Sequence, residues 1–136
     1  MDYHKLMQMR NDANAFASRS GIRTEKIDAG YAETVIEDCQ SITNPLGSVH
    51  GGALYTLADV AAGSAAATHG RWPVTLNGSM DYLRAGHSPK ALRAKAKEVK
   101  CGKTIAVYHA EVWQDDKILL ATGTFTMYLL DKEIEM

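Results

Sequence analysis

Residues 52–69, GALYTLADVAAGSAAATH, constrain the fold more than any other part of this sequence. Alanine is the strongest helix former and no proline interrupts the stretch, so it predicts a helix that ends at Gly70, shortly before Pro73. Its apolar residues are spread around the axis rather than confined to one stripe, which is typical of a helix buried on most sides. Many of these side chains are very small, so neighbouring strands can approach closely. The stretch therefore predicts a central helix with a β-sheet wrapped around it.

The rest of the chain predicts that sheet and one further helix. Residues 2–18, within an N-terminal helical segment 1–20, have apolar residues at helical spacing. A first strand is predicted between Ile22 and about Cys39, with an interruption at Gly30. After the central helix, the connections RAGHSPK, KCGK and QDDK are turn sequences too short for parallel crossovers, which predicts an antiparallel meander of four strands: 74–83, 91–100, 104–113 and 118–130. We expect an α+β fold in one domain, residues 1–136, with a long central helix wrapped by a curved antiparallel sheet of five or more strands.

Charge, hydropathy and cysteine content exclude several classes of function. The 136 residues suit one domain, and 15 Lys+Arg against 16 Asp+Glu leave a net charge of -1, which gives no global field to attract nucleic acid or an anionic membrane. No apolar run reaches the roughly 18 residues of a membrane span, and the first residues show no signal-peptide core. The two cysteines and five histidines have no metal-ligand spacing. We expect a cytoplasmic protein with reduced cysteines and no metal, nucleic-acid or membrane partner.

Asp59 is the single charged residue of the predicted central helix. Burying an unpaired carboxylate is costly, so this residue needs a reason to be there. One reading is structural: Asp59 bonds to a neighbouring strand or faces solvent. The preceding loop favours a functional role, because Asn44, His50 and Gly51 are residue types that orient a carbonyl group and offer backbone N–H groups at a helix N-terminus.

The spacing between Gly51 and Asp59 predicts an oligomer. Eight helical residues span about 12 Å, whereas reacting atoms must come within about 3 to 3.5 Å of each other. A carboxylate at position 59 therefore cannot readily attack a carbonyl group held at the start of its own helix. If two copies place their helices antiparallel, Asp59 of each approaches Gly51 of the other across a two-fold axis. We expect an obligatory dimer with shared active sites.

The stretch NPLGSVHGGALYTLAD, residues 44–59, resembles the motif of PaaI-like hotdog-fold acyl-CoA thioesterases. That motif has an asparagine, then HGG, then an aspartate within the central helix of the fold. The segments TLNGSMDYLRAG and KCGKTIAVYHAEVW match the following strands of the family in kind and order. The resemblance implies the hotdog fold, assembly into homodimers and commonly homotetramers, and hydrolysis of an aryl- or fatty-acyl-CoA to the free acid and CoA. It implies no cofactor, since the CoA thioester is the substrate.

The resemblance also implies roles for individual residues. The Gly51 N–H would polarise the thioester carbonyl, and Asp59 of the partner subunit would act as nucleophile or as general base on water. Asn44 would position that water or the thioester, His50 would help to orient the site, and Thr75 would assist the water. One departure concerns the water: other hotdog thioesterases have a glutamate as the acidic residue and a threonine one helical turn later. This chain instead has, at and after that later position, Gly63 and Ser64.

Contacts with CoA are expected from the motif and from basic residues near turns. Lysine and arginine at the surface can meet the 3′-phosphate and pyrophosphate without the cost of burying a charge. The candidates for substrate or CoA binding are Gly52, Arg84, Lys90, Lys100 and Lys103.

Two other functions remain open on the sequence. A hotdog hydratase or dehydratase acts on acyl thioesters with a histidine and an acid from opposite subunits, and His50 and Asp59 fit those residue types. A non-catalytic acyl-CoA binding module would keep a tunnel for the acyl group and basic residues at its rim, but it has no need of Asp59. The hydratase reading is weakened because this chain lacks the proline-rich stretch that follows the histidine in dehydratases of fatty-acid synthesis.

Overall fold

The computed structural model describes residues 1–136. In chain order, the elements are α1 (Tyr3–Ala13), α2 (Ala15–Arg19), β1 (Ile22–Asp28), β2 (Tyr31–Ile36), α3 (Gly51–Ala67), β3 (Arg71–Tyr82), β4 (Leu92–Cys101), β5 (Ile105–Gln114) and β6 (Ile118–Glu133). All six strands join one sheet in the order β1-β2-β4-β5-β6-β3, and every neighbouring pair is antiparallel. The expected α+β architecture, with five or more antiparallel strands, is confirmed.

The curved sheet wraps around α3, which contacts all six strands. Ten of the seventeen α3 residues are buried, and six of those ten are alanines. Small residues on both sides allow this close packing. At Gly78 of β3, for example, a Cβ atom would collide with the hydroxyl group of Tyr55 and with the ring of Phe125. The sequence-based prediction of a helix buried on most sides is therefore confirmed.

The N-terminal segment contains two helices where one was predicted. At Asn14 the backbone leaves the helical region (φ -88°, ψ 85°), and the Asn14 side chain accepts a hydrogen bond from the Ala17 amide at 3.1 Å. This bond caps the start of α2. Asparagine side chains compete in this way with helical hydrogen bonding, so helical spacing of apolar residues does not guarantee one continuous helix.

The predicted strand between Ile22 and Cys39 is a hairpin of two strands, β1 and β2. Asp28 pairs with Tyr31 across a two-residue turn, in which Gly30 has a φ of 62°. Glycine adopts positive φ without a steric cost, which makes it common in hairpin turns. Gly30 therefore reverses the chain direction rather than interrupting one strand.

The position of β3 contradicts the predicted four-strand meander. Strands β4, β5 and β6 follow one another, but β3 pairs with β6 at the edge of the sheet. Residues 83–91 cross from β3 to β4, and the Leu83 and Arg84 amides both donate to the Leu120 carbonyl oxygen along the way. Nine extended residues reach up to about 30 Å, whereas three strand spacings cover only about 14 Å. The prediction was wrong because a short loop excludes a parallel crossover but still allows an antiparallel connection to a distant strand.

Both cysteines carry free thiols, as expected from the sequence. Burial raises the pKa of Cys39 and of Cys101, so both thiols are protonated at neutral pH. None of the three helices combines the length and the apolar composition that crossing a bilayer requires.

Leu57 tests how strongly the packing around α3 stabilises the fold. Its side chain is 0% exposed, whereas Leu46 in the loop before α3 is 91% exposed. Leu57→Ala is expected to lower the free energy of unfolding by about 2 to 5 kcal/mol, because it removes buried apolar contacts and leaves a cavity. Urea denaturation measures this value. Leu46→Ala is the matched control with a change near zero, and equal effects of the two substitutions would contradict the structure.

Candidate active site

The loop that leads into α3 ends at His50, which caps the helix. His50 has an extended backbone (φ -65°, ψ 131°), and its Nδ1 atom accepts a hydrogen bond from the Gly52 amide at 2.8 Å. The Ala53 amide donates to the His50 carbonyl oxygen at 3.0 Å. The first amides of a helix have no carbonyl group one turn earlier, so each needs a partner of this kind. The first three amides of α3 are those of Gly51, Gly52 and Ala53, and only that of Gly51 has no acceptor within the chain.

The cap also fixes the chemistry of the His50 ring and of Gly52. A ring nitrogen that accepts a hydrogen bond carries no hydrogen, so the neutral His50 ring carries its hydrogen on Nε2. At Gly52, a Cβ atom would come within 2.9 Å of His50 Nδ1, so a larger residue would disturb the cap. The second glycine of HGG thus has its amide bound to His50, while the first has its amide free.

A cleft of about 340 Å³ lies beside Gly51. Tyr82, at the end of β3, forms one wall: its hydroxyl group donates to the Gly51 carbonyl oxygen at 3.2 Å, and its ring lies 3.3 Å from the position of a Cβ at residue 51. Burial raises the pKa of Tyr82, so the hydroxyl remains a donor at neutral pH. Tyr82 was not among the site residues expected from the sequence, although it lies in the matched segment TLNGSMDYLRAG. An aromatic residue at a strand end is too common to single out without the fold.

Asn44 lines the same cleft and organises the loop before α3. Its Oδ1 atom accepts hydrogen bonds from the Leu46 amide at 2.9 Å and the Ser48 amide at 3.1 Å, and its Nδ2 atom donates to Ser48 Oγ at 2.8 Å. These bonds fold residues 44–48 into a compact turn. Nδ2 has two hydrogens, so one donor of Asn44 is left for a ligand.

Asp59 lies two turns further along α3 and is partly buried. Its Oδ1 atom accepts a hydrogen bond from Thr75 Oγ1 of β3 at 2.6 Å. The structure therefore brings together the carboxylate expected to act as nucleophile or general base and the hydroxyl expected to assist the water. Asp59 lies on the same helix as Gly51. Eight helical residues, or about 12 Å, nevertheless separate Asp59 from the free Gly51 amide.

The four basic candidates fall into two exposed groups at opposite ends of α3. Arg84 lines the Gly51 cleft, and Lys90 lies beside the loop that precedes α3. Lys100 and Lys103 lie at the far end, on the hairpin between β4 and β5. Within one chain, therefore, the four cations do not form a single cluster.

An apolar groove of about 330 Å³ lies on the other side of the helix N-terminus. It lies between α2 and the first turns of α3, and it reaches His50 and Gly52. Its apolar lining consists of Phe16, Ile22, Ile36, Ile42 and Ala53. The start of α3 is therefore flanked by one recess that Arg84 lines and by one with an apolar lining.

One group of three metal-ligand types lies far from this region, at the C-terminal end of α3: His69, Glu98 and Cys101. The sequence spacing gave no hint of it because the three residues meet only through the fold. His69 Nε2 lies 2.5 Å from Glu98 Oε1, which also accepts a hydrogen bond from the Tyr108 hydroxyl at 2.8 Å. These hydrogen bonds hold His69 and Glu98 together, whereas the Cys101 thiol donates to the Gly102 carbonyl oxygen at 3.3 Å.

Comparisons with known proteins connect this geometry to a family. Residues 46–121 match the family model described as the Thioesterase superfamily, and this range contains the HGG motif, Asp59 and Thr75. The acyl-coenzyme A thioesterase PaaI of Escherichia coli is 32% identical over 112 residues, which cover 80% of each chain.

Solved structures agree with the sequence match. The E. coli PaaI protein from the phenylacetic acid degradation operon has a TM-score of 0.91 and 26% identity, covering 98% of this chain and 96% of its own. The smu.793 protein of Streptococcus mutans, solved bound to acetyl CoA, has a TM-score of 0.77 and 28% identity, covering 83% of this chain and 91% of its own. This chain therefore belongs to the Thioesterase superfamily and is a thioester hydrolase of the PaaI-like hotdog-fold acyl-CoA thioesterase family.

Proposed function

We propose that this enzyme hydrolyses an aryl- or fatty-acyl-CoA to the free acid and CoA. The observation that carries the proposal is the free amide of Gly51 at the N-terminus of α3, in the cleft that Arg84 lines. A free backbone donor at a helix N-terminus stabilises negative charge as it develops on a carbonyl oxygen. The relatives support the substrate class, because one is named an acyl-CoA thioesterase and another is solved with acetyl CoA.

In this reaction Gly51 binds the carbonyl oxygen of the thioester, and Asp59 acts on its carbonyl carbon. The thioester carbonyl oxygen accepts a hydrogen bond from the Gly51 amide, and the carbonyl carbon is attacked either by the Asp59 carboxylate or by a water that Asp59 deprotonates. The carbon–sulfur bond then breaks, and the CoA thiolate leaves and takes up a proton. When water attacks, this step gives the free acid directly. When Asp59 attacks, it leaves an acyl–Asp59 anhydride, which a water then hydrolyses to the free acid and the regenerated carboxylate. Thr75 orients Asp59 through the 2.6 Å hydrogen bond. His50 contributes by capping the helix, which keeps the Gly51 amide free.

The site is complete only in a dimer, because the attacking group and the donor are about 12 Å apart within one chain. The exposed edge of the sheet supports such a dimer. β3 has no neighbour on its outer side, and it carries Val74 at 44% and Leu76 at 57% exposure. Natural proteins cover or blunt long apolar edge strands, because an open edge promotes aggregation. A second copy on β3 would cover this edge next to Thr75 and Asp59.

An antiparallel dimer also gathers the basic residues. If Asp59 of the partner subunit lies beside Gly51, the far end of one helix extends past the start of the other. Arg84 and Lys90 of one protomer then lie on the same side as Lys100 and Lys103 of the other. This arrangement suits the phosphates of CoA, which pair well with arginine and lysine at a surface. The apolar groove next to His50 suits an aryl or fatty acyl group.

The state of His50 favours hydrolysis over hydration. A hydratase needs a histidine nitrogen that takes a proton from water or substrate. In this chain Nδ1 is occupied by the Gly52 amide, so in the neutral ring Nε2 already carries a hydrogen and cannot accept another proton while the cap is intact.

Incubation of the purified protein with a panel of aryl- and acyl-CoA esters and a thiol-reactive dye tests this function. We expect release of free CoA thiol from at least one ester. Tight binding of an ester with no thiol release from any of them would favour the binding module. Loss of enoyl absorbance without thiol release would favour the hydratase.

A further inference from the structure

Arg10 of α1 is half-buried, and its side chain lies against α3. Its Nε atom donates a hydrogen bond to Ser64 Oγ at 3.0 Å, and its Nη2 atom lies 3.2 Å from the position of a Cβ at Gly63. Residues four apart in a helix share a face, so Gly63 lies one turn beyond Asp59 on the same side. The guanidinium group thus lies along the face of α3 that carries the carboxylate.

Several hydrogen bonds fix this position. Asn11, the next residue of α1, donates to the Thr24 carbonyl oxygen at 2.9 Å and accepts from the Thr24 amide at 2.8 Å, which ties the helix to β1. The Thr24 hydroxyl lies 3.2 Å from Ser64 Oγ, and both residues are buried. The backbone next to Arg10 is therefore anchored to β1, and the guanidinium group is bonded to a serine that is itself buried.

The charge of Arg10 needs a counter-charge, and Asp59 is the one available on α3. Ser64 is neutral, and α3 contains no other charged residue. Burial lowers the pKa of Arg10 to about 10, and Asp59 is the one charge that opposes this shift. The guanidinium remains protonated at neutral pH. Buried charges are rarely retained without a partner of opposite sign.

The position of the Arg10 guanidinium group also explains the glycine at residue 63. Glycine inside a helix costs about 1 kcal/mol relative to alanine, so an interior glycine needs a reason. A side chain at residue 63 would press on the guanidinium of Arg10, since even a Cβ would lie 3.2 Å from Nη2. The position where other hotdog thioesterases carry a threonine is thus kept free for a cation from α1.

We propose that Arg10 is a positioning residue whose positive charge stabilises the Asp59 carboxylate from the α1 side without a direct ion pair, while Thr75 donates a hydrogen bond to it from β3. This inference rests on the proposed function of Asp59. Arg10 lies outside the family match of residues 46–121, so the N-terminal segment of this chain contributes it. The segment therefore acts on the reacting carboxylate as well as covering the core.

Steady-state kinetics test the role of the charge. Arg10→Met keeps a long apolar side chain and removes the cation, and it is expected to lower kcat about tenfold, equivalent to about 1.4 kcal/mol, with KM nearly unchanged. Arg10→Lys keeps a cation and should recover most of this loss. The exposed Arg19 gives the matched control, Arg19→Met, with unchanged kcat. Equal kcat for Arg10→Met and Arg19→Met, or equal losses for Arg10→Met and Arg10→Lys, would overturn the proposal.

A double-mutant cycle with Asp59→Asn separates this inference from the proposed function, because it is measured by urea denaturation without substrate. Arg10→Met should destabilise the wild-type protein. In the Asp59→Asn background it should be neutral or stabilising, since it then removes a cation that has lost its counter-charge. Equal effects in both backgrounds would overturn the pairing of Arg10 with Asp59. If the effects differ but no ester on the panel is hydrolysed, the pairing stands and the proposed function fails.

Discussion

Asp59→Asn is expected to lower kcat/KM for thioester hydrolysis by about 10²- to 10⁴-fold, the range that a general base or a comparable reacting group contributes. The amide has nearly the shape of the carboxylate, and its oxygen can still accept the Thr75 hydrogen bond. It is, however, neither a useful nucleophile nor a base. The loss should lie mainly in kcat, because the substitution leaves the cleft beside Gly51 unchanged.

The exposed Asp131, near the end of β6, gives the matched control. Asp131→Asn makes the same chemical change away from the site and should leave kcat/KM unchanged. A circular dichroism spectrum and a urea midpoint for each variant separate loss of chemistry from loss of fold. A folded Asp59→Asn protein with wild-type kcat/KM would contradict the mechanism.

Gly51→Pro is expected to lower kcat by about 10²- to 10³-fold, the effect of removing one oxyanion-hole donor. Proline removes the backbone N–H and leaves the rest of the helix end intact. It is tolerated at the first position of a helix, where the N–H has no helical acceptor. The residue before a proline prefers an extended backbone, and His50 already has a ψ of 131°.

Gly51→Ala is the control for the added volume. It places a Cβ against the ring of Tyr82 at 3.3 Å, as proline also does, but it keeps the N–H. Kinetic measurements on both variants therefore separate crowding from loss of the donor. Equal losses for the two variants would show that crowding, and not the missing N–H, lowers the rate.

The parts of the fold that were predictable from the sequence depend on local signals. The composition of residues 52–69 predicts α3 and its burial, because helix propensity and small side chains act within the segment itself. The partner of β3 was not predictable in this way. It is set by the path of residues 83–91 and by the pairing of β3 with β6, and both are long-range features.

The site residues also differ in whether local sequence or only the fold identifies them. The motif from Asn44 to Asp59 is continuous in sequence and could be identified directly. Arg10 could not, because 49 positions separate it from Asp59 and only the docking of α1 on β1 brings them together. The capping role of His50 also depends on geometry, since its side chain bonds to the Gly52 amide and leaves Gly51 free.

The proposal that two chains share each active site is tested most directly by mixing the Asp59→Asn and Gly51→Pro proteins under conditions that allow subunit exchange. In a mixed dimer, one site combines the intact Asp59 of one chain with the intact Gly51 of the other, and the second site carries both lesions. Random exchange of equal amounts makes half of the dimers mixed, so about a quarter of the wild-type activity should return. Each variant alone keeps at most about 1% of the wild-type activity, as expected from a loss of at least about 10²-fold. No recovery, after native mass spectrometry has shown that mixed dimers formed, would contradict a site built from two chains.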